Sequence, residues 1–123
     1  MQPVLHEQAY GFVSVSGISP TTKPFAVINE GESTTIVDQT TALNDAGFGV
    51  AVEWARITLQ VHSALEAVGL TAAFATTLGN HGISANVIAG YHHDHIFVQW
   101  DKRHKAMEAL HQLINQQDQD EDT

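Results

Sequence analysis

The segment His92-His93-Asp94-His95 concentrates side chains that can bind a metal or transfer protons. Neutral imidazoles and carboxylates are common protein ligands of zinc, nickel and copper. Consecutive residues of an extended chain point to opposite faces, so only His93 with His95, or His92 with Asp94, converge readily. A complete metal site would need ligands from another segment or subunit. The alternative, which we favour, is a polar hairpin turn in which Asp94 caps backbone amides.

His62 and Ser63, taken with Asp94, supply the three residue types of a hydrolase triad. Neighbouring His and Ser side chains project in diverging directions, and the sequence contains no Gly-x-Ser-x-Gly elbow. We therefore predict that the protein is not an enzyme and needs no cofactor.

Alternating hydrophobicity and turn residues divide the chain into short strands and helices. Between residues 56 and 61 apolar and polar residues alternate, as in a strand that rests one face on a core. Ser63 and Glu66 match the capping box that opens a helix. The predicted strands are residues 9–15, 25–28, 34–37, 56–61, 84–90 and 95–100, and the predicted helices are residues 39–46, 63–79 and 101–114.

The order of these elements predicts the fold class. From residue 56 onward a βαββ unit is followed by a helix, and one further strand would complete a ferredoxin-like sandwich. We therefore predict an α+β protein of the ferredoxin-like, βαββα type. The strand–strand–helix order of residues 25–46 resembles that of residues 84–115, which indicates an internal duplication.

The acidic composition narrows the range of partners. The 123-residue chain carries a formal net charge of −9, with five Lys and Arg against 14 Asp and Glu. Nucleic acids and anionic membrane surfaces attract proteins through several cations, so neither is an expected partner. The length suits one compact unit, or two small ones that share a core.

The composition also bears on the cellular compartment. The sequence contains no cysteine, which excludes disulfides and is compatible with a reducing cytoplasm. No apolar run reaches the roughly 20 residues of a membrane span. The N-terminal residues lack the basic and apolar regions of a signal peptide. We predict a cytoplasmic protein.

Two motifs resemble the ACT-domain superfamily, the ferredoxin-like regulatory modules of amino-acid metabolism. They are Val61–Ala72, with the sequence VHSALEAVGLTA, and Ile83–Val98, with the sequence ISANVIAGYHHDHIFV. The chain resembles in particular a bacterial family of small stand-alone ACT-like proteins, and similar segments occur in animal cytosolic arginine sensors. The resemblance covers about three-quarters of the chain, from Pro24 to Leu113.

The resemblance implies tandem ACT-like halves, of which the first is reduced. The expected divisions are a reduced half over residues 1–50, a fuller domain over residues 51–117 and an acidic, disordered tail over residues 118–123. It also implies a homodimer that binds a small molecule, typically an amino acid, and it implies no reaction.

In an ACT fold the first strand-to-helix turn faces the ligand, and helix N-terminal amides there can hold a carboxylate. A cap formed by Ser63 and Glu66 explains the same residues without a ligand. On the neighbouring strand, Asn86 offers an amide that both donates and accepts. The candidate ligand site comprises His62, Ser63, Ala64, Leu65, Glu66, Asn86, Val87 and Ile88.

The sequence therefore predicts a non-catalytic regulatory module that binds an amino acid and acts as a dimer. Two alternatives stay open at this point. One is a divalent-metal protein built on His92–His95, and the other is a ligand-free module that pairs with partner proteins through its strand edges.

Overall fold

The computed structural model describes residues 2–17, 23–60 and 64–121, and within these ranges the side chains of all but residues 64–70 and 117–121. Its elements in chain order are β1 (Val4–Val15), β2 (Ala26–Asn29), β3 (Thr34–Gln39), α1 (Thr40–Asp45), β4 (Trp54–Gln60), α2 (Ala64–Asn80), β5 (Asn86–Ala89), β6 (His93–Gln99), a 3-10 turn (Trp100–Lys102) and α3 (Arg103–Glu121). The chain divides into two compact units. The C-terminal unit contains residues 1–6 and 55–123, and the N-terminal unit contains residues 7–54.

The C-terminal unit has the ferredoxin-like fold that the sequence predicts. Its strand order is β1-β4-β6-β5, and the antiparallel pair β5–β6 places Asn86 opposite Phe97 and Ala89 opposite Asp94. The first residues of β1 fill the position beside β4. The strand that completes the βαββα unit therefore comes from the beginning of the chain.

The hydrophobic core of the C-terminal unit lies between this sheet and the helices α2 and α3. The alternation along β4 turns Ile57 and Leu59 inward, as predicted from the sequence, and Ala55 lies on the same face. Val61, the third residue predicted on this face, lies outside the described residues. Other buried members of the core are Phe74 and Leu78 of α2, Ile83, Ile96 and Val98 of the β5–β6 region, and Ala106, Ala109, Leu110 and Ile114 of α3. We call the core-bearing side of the sheet the helix side.

The N-terminal unit is built on the antiparallel strand order β2-β3-β1. Ile36 and Val37 of β3 are both fully buried, so this strand is covered on its two faces. Gly11 lies where a Cβ atom would come within 2.7 Å of the Val50 side chain. A side chain at residue 11 would therefore force residue 50 away from β1.

Several element boundaries differ from those predicted, among them those at the β5–β6 hairpin, at the start of β1 and at the end of α3. The hairpin turns at residues 90–92, where the Gly90 amide donates to the His93 carbonyl over 2.8 Å, so that His93, Asp94 and His95 belong to β6. β1 starts at Val4, five residues before the predicted start. The helix α3 continues through Glu121, so residues 118–121 of the predicted disordered tail are helical. Extending an existing helix adds one hydrogen bond per residue without a new nucleation cost.

Among the described residues, every helix is too short or too polar to cross a membrane.

Candidate functional site

The predicted site at the start of α2 can be placed only in part. His62 and Ser63 lie outside the described residues. Ala64, Leu65 and Glu66 form the first residues of α2, and their side chains are not among those described.

The predicted residues of β5 divide between the two faces of the sheet. Residues opposite each other in an antiparallel pair share a face. Val87 lies opposite Ile96, a core residue, and therefore faces the helix side. Asn86 lies opposite Phe97 and Ile88 opposite His95, so both face away from the helices. The register therefore sets Asn86 and Ile88 on the face opposite to α2.

A buried carboxylate lies on the helix side, beside α2. Asp94 is only 8% exposed, and its Oδ2 atom accepts a hydrogen bond of 2.8 Å from the Thr71 hydroxyl. A carboxylate can accept about four hydrogen bonds. Among the described residues, Thr71 is the one donor to Asp94. As far as the described residues go, Asp94 therefore keeps acceptor capacity next to α2, where a cationic group would be well stabilised.

The opposite face of the same sheet carries a hydrogen-bonded chain across three strands. His6 Nε2 lies 2.7 Å from Thr58 Oγ1, and Thr58 Oγ1 lies 3.0 Å from His95 Nδ1. Arg56 donates its Nε–H to the same His95 nitrogen over 3.4 Å. We call this surface the histidine face; it consists of His6, Arg56, Thr58, His93 and His95.

The hydrogen bonds fix the proton positions on the histidine face. A guanidinium can only donate, so His95 Nδ1 must accept, and neutral His95 carries its proton on Nε2. The Thr58 hydroxyl then donates to His95 and accepts from the Nε2–H of His6. Burial and the Arg56 charge, in that order, lower the pKa of His95 to about 4. The same two causes lower the pKa of His6. Both imidazoles are therefore held neutral at physiological pH.

In the described residues, the candidate metal ligands His92, His93, Asp94 and His95 do not converge. His93 and His95 share a face with ring centroids 6.4 Å apart, whereas Asp94 points to the helix side. His92 is exposed and packs edge-on against Tyr91, with ring centroids 4.8 Å apart. In the described part of the chain, no three His, Asp or Glu side chains lie in an arrangement that could hold a metal ion. The strand geometry of β6 accounts for this, because it separates alternate side chains.

The N-terminal unit contains an open cavity of about 350 Å³. Phe12 and Trp54 meet edge to face at its wall, with ring centroids 6.1 Å apart. The lining consists of Phe12, Val13, Ser14, Phe48, Gly49, Val50, Ala51, Val52 and Trp54. The sequence analysis missed this cavity, because it depends on the path of residues 48–54 beside β1.

Residues 53–112, from the start of β4 into α3, match the family model of the ACT domain. Residues 53–112 therefore resemble an ACT domain, and the chain is similar to ACT-domain proteins over this segment. ACT domains are generally regulatory modules that bind small molecules and are not catalytic. A search of curated proteins gave no match.

Solved structures that are similar to this chain include three proteins. A Vibrio cholerae protein, described as of unknown function and as a possible transport protein, is 49% identical to this protein. The alignment covers 89% of this chain and 86% of that one, with a TM-score of 0.81. An Agobacterium tumefaciens protein is 18% identical over 85% of this chain and 82% of its own, with a TM-score of 0.69. A chain from a crystal structure of aspartokinase alpha and beta subunits is 12% identical over 92% of this chain and 92% of its own, with a TM-score of 0.68. The last two show the shared fold.

Proposed function

We propose that this protein is a non-catalytic cytoplasmic regulator that binds an amino acid as a homodimer. The observation that carries the proposal is the buried Asp94 carboxylate, which faces α2. Among the described residues, it accepts a hydrogen bond from Thr71 alone. A buried carboxylate is costly unless it is paired, so a ligand cation at Asp94 would be strongly favoured.

The start of α2 would hold the other end of the ligand. The backbone amides of a helix N-terminus attract a carboxylate, and α2 begins at Ala64. Thr71 lies seven residues later, which corresponds to about 10 Å along the helix axis. In an amino acid the α-ammonium lies beside the α-carboxylate. If the carboxylate binds at the start of α2, the α-ammonium cannot also reach Asp94. The side-chain cation of an extended basic amino acid can span this length, so the proposed ligand class is a basic amino acid.

The edge strand β5 supports the proposed dimer. Within the described residues, β5 ends the strand order β1-β4-β6-β5, and its Val87 side chain is 38% exposed. An edge strand with exposed apolar side chains is prone to pair with another strand. We propose that two copies pair through β5, with Asn86, Val87 and Ile88 at or beside the interface.

The tandem organisation is part of the same proposal. In the N-terminal unit the antiparallel pair β2–β3 is followed by α1, as the pair β5–β6 is followed by α3. This repeated order supports the proposal that the N-terminal unit is a reduced ACT-like half and the C-terminal unit a fuller one.

Thermal-shift measurements with each of the twenty amino acids, in the presence and absence of EDTA, test the proposal. A ligand that binds only the folded state raises its melting temperature. We expect saturable stabilisation by a basic amino acid, independent of EDTA. Asp94→Asn should abolish the ligand-induced rise in melting temperature. The control Asp45→Asn, at an exposed position at the end of α1, should show the same rise as the parent protein.

Two results would contradict the proposal. One is a melting temperature that no amino acid changes, which would leave a protein–protein module as the best account. The other is a folded Asp94→Asn variant that binds a basic amino acid as tightly as the parent protein.

A further inference from the structure

The open cavity of the N-terminal unit, with a volume of about 350 Å³, has aromatic and aliphatic walls. The aromatic residues of its lining are Phe12, Phe48 and Trp54, and all three are partly exposed. Phe12 and Trp54 meet edge to face, which leaves a ring surface that a further aromatic ring can contact. Cavities of this size that combine apolar walls with a few polar groups are typical of small-molecule sites.

Hydrogen bonds to α1 hold one wall of the cavity in place. This wall is formed by residues 48–52, which follow α1 without regular secondary structure. The Phe48 amide donates to the Leu43 carbonyl over 3.0 Å. The Val50 amide donates to the Asn44 side-chain oxygen over the same distance of 3.0 Å. A wall that is fixed in advance limits the ordering cost of binding a ligand.

The described lining of the cavity is uncharged, although the chain as a whole carries a net charge of −9. The segment 48–54 includes one acidic residue, Glu53, but this residue is exposed and does not belong to the lining. The side-chain polar groups of the lining are the Ser14 hydroxyl and the Trp54 indole N–H. A charged ligand would lose hydration here without meeting an opposite charge, so an uncharged ligand is favoured.

We propose that this cavity binds a small, uncharged aromatic molecule that carries a hydroxyl group. The ring of the ligand packs against Phe12 and Trp54, and its hydroxyl forms a hydrogen bond with Ser14. Val52 of the lining is 63% exposed, and the ligand covers part of this apolar surface. The cavity lies within the N-terminal unit, whereas Asp94 and α2 belong to the C-terminal unit, so the two proposals depend on different residues.

Fluorine NMR of small fluorinated probes tests both the site and its preference for an uncharged ligand. Three probes share one ring and differ in charge at neutral pH: para-fluorobenzyl alcohol is uncharged, para-fluorobenzylamine is a cation and para-fluorobenzoate is an anion. Each probe is titrated with the protein, and binding changes the position and width of its fluorine resonance. We expect saturable binding of the alcohol, and affinities at least about tenfold lower for the two charged probes.

A matched pair of valine variants locates the binding. Val52→Asp places a charge in the lining and should weaken binding of the alcohol at least about tenfold. Val4→Asp makes the same change at a similarly exposed position, 51% exposed, and eight residues before Phe12 on β1. That separation is roughly 26 Å along the strand, well beyond the screening length, so Val4→Asp should change the affinity less than about twofold.

A second pair of variants reduces the open volume of the cavity without adding charge. Gly49 belongs to the lining, and a Cβ atom there would meet no other atom within 4 Å. Gly49→Leu should therefore fold, take up part of the cavity and weaken binding of the alcohol. Gly79→Leu is the control, because a Cβ on this residue of α2 also meets nothing within 4 Å and Gly79 lies outside the lining. This pair decides the question if Val52→Asp does not fold.

Three results would overturn the proposal. They are a fluorine resonance of the alcohol that does not saturate, a charged probe that binds as tightly as the alcohol, and undiminished binding of the alcohol by folded Val52→Asp or Gly49→Leu. The Asp94→Asn variant distinguishes the two sites, since it should lose the amino acid and still bind the alcohol.

Discussion

Replacing His95 with glutamine should remove a defined part of the pH dependence of stability. In the folded protein the pKa of His95 is lowered to about 4 from its ordinary value of 6.5, first by burial and then by the Arg56 charge. Between these two pH values the unfolded chain binds a proton that the folded protein does not bind. The free energy of unfolding therefore carries the full contribution of neutral His95 above pH 6.5. This contribution is lost as the pH falls from 6.5 to about 4.

The magnitude follows from the size of the pKa shift. A shift from 6.5 to about 4 corresponds to about 3 kcal/mol if it is realised in full. His95 is only partly buried, and solvent screens the charges around it, so we expect about 1 to 2 kcal/mol. His95→Gln keeps an acceptor for Arg56 and Thr58 but cannot titrate. The variant should therefore lose this amount of pH-dependent stability.

Urea denaturation at several pH values between 7 and 4 provides the measurement. The quantity of interest is the free energy of unfolding of the parent protein minus that of the variant, followed as a function of pH. We expect this difference to decrease toward low pH, whereas the control Gln112→Ala, a non-titrating change at an exposed position on α3, should give a nearly constant difference. Arg56→Gln should reduce the effect without removing it, because burial is the larger cause.

A constant difference between the parent protein and His95→Gln across this pH range would refute the reasoning. It would mean that His95 titrates alike in the folded and unfolded states, so the hydrogen bonds from Arg56 and Thr58 would not hold it neutral.

Two further predictions concern the core and the edge of the sheet. Leu110→Ala removes a fully buried side chain of α3 and should cost about 3 kcal/mol in urea denaturation, while the exposed Gln112→Ala should change stability by less than about 0.5 kcal/mol. An unchanged stability of Leu110→Ala would contradict the observed core. Val87→Lys places a charge on the edge strand β5 and should convert the proposed dimer to a monomer in light scattering, whereas Val27→Lys on β2 should not. A dimer that survives Val87→Lys places the interface elsewhere.

Local patterns in the sequence predict most of the C-terminal unit. The alternation in residues 56–61 identifies β4 and its inward face, because side chains of a strand alternate strictly. Helical spacing is less informative in α2, where the apolar residues that recur at helical intervals include Ala72 and Ala75. Both are exposed, and Phe74 is buried instead. Alanine fits either side of a helix, so its spacing does not fix the buried face.

The hairpin of β5 and β6 shows why the candidate sites were only partly predictable. The polar residues His92–Asp94 resemble a turn, yet the chain turns at residues 90–92 and extends β6 through His93 and Asp94. Asp94 can enter the strand because Thr71 of α2 supplies a hydrogen bond. That partner lies 23 residues away in sequence, so no local pattern reveals it.

The sequence alone determined the α+β class, the βαββα order and the family resemblance. These depend on periodicity and motifs within short segments, where neighbouring residues define the local structure. The tertiary structure decided that the start of β1 completes the sheet, that Asp94 faces α2 and that Thr58 hydrogen-bonds to both His6 and His95. Each of these depends on strand pairing between residues far apart in the chain. Pairing register selects the face of every side chain, and a shift of one residue would reverse it.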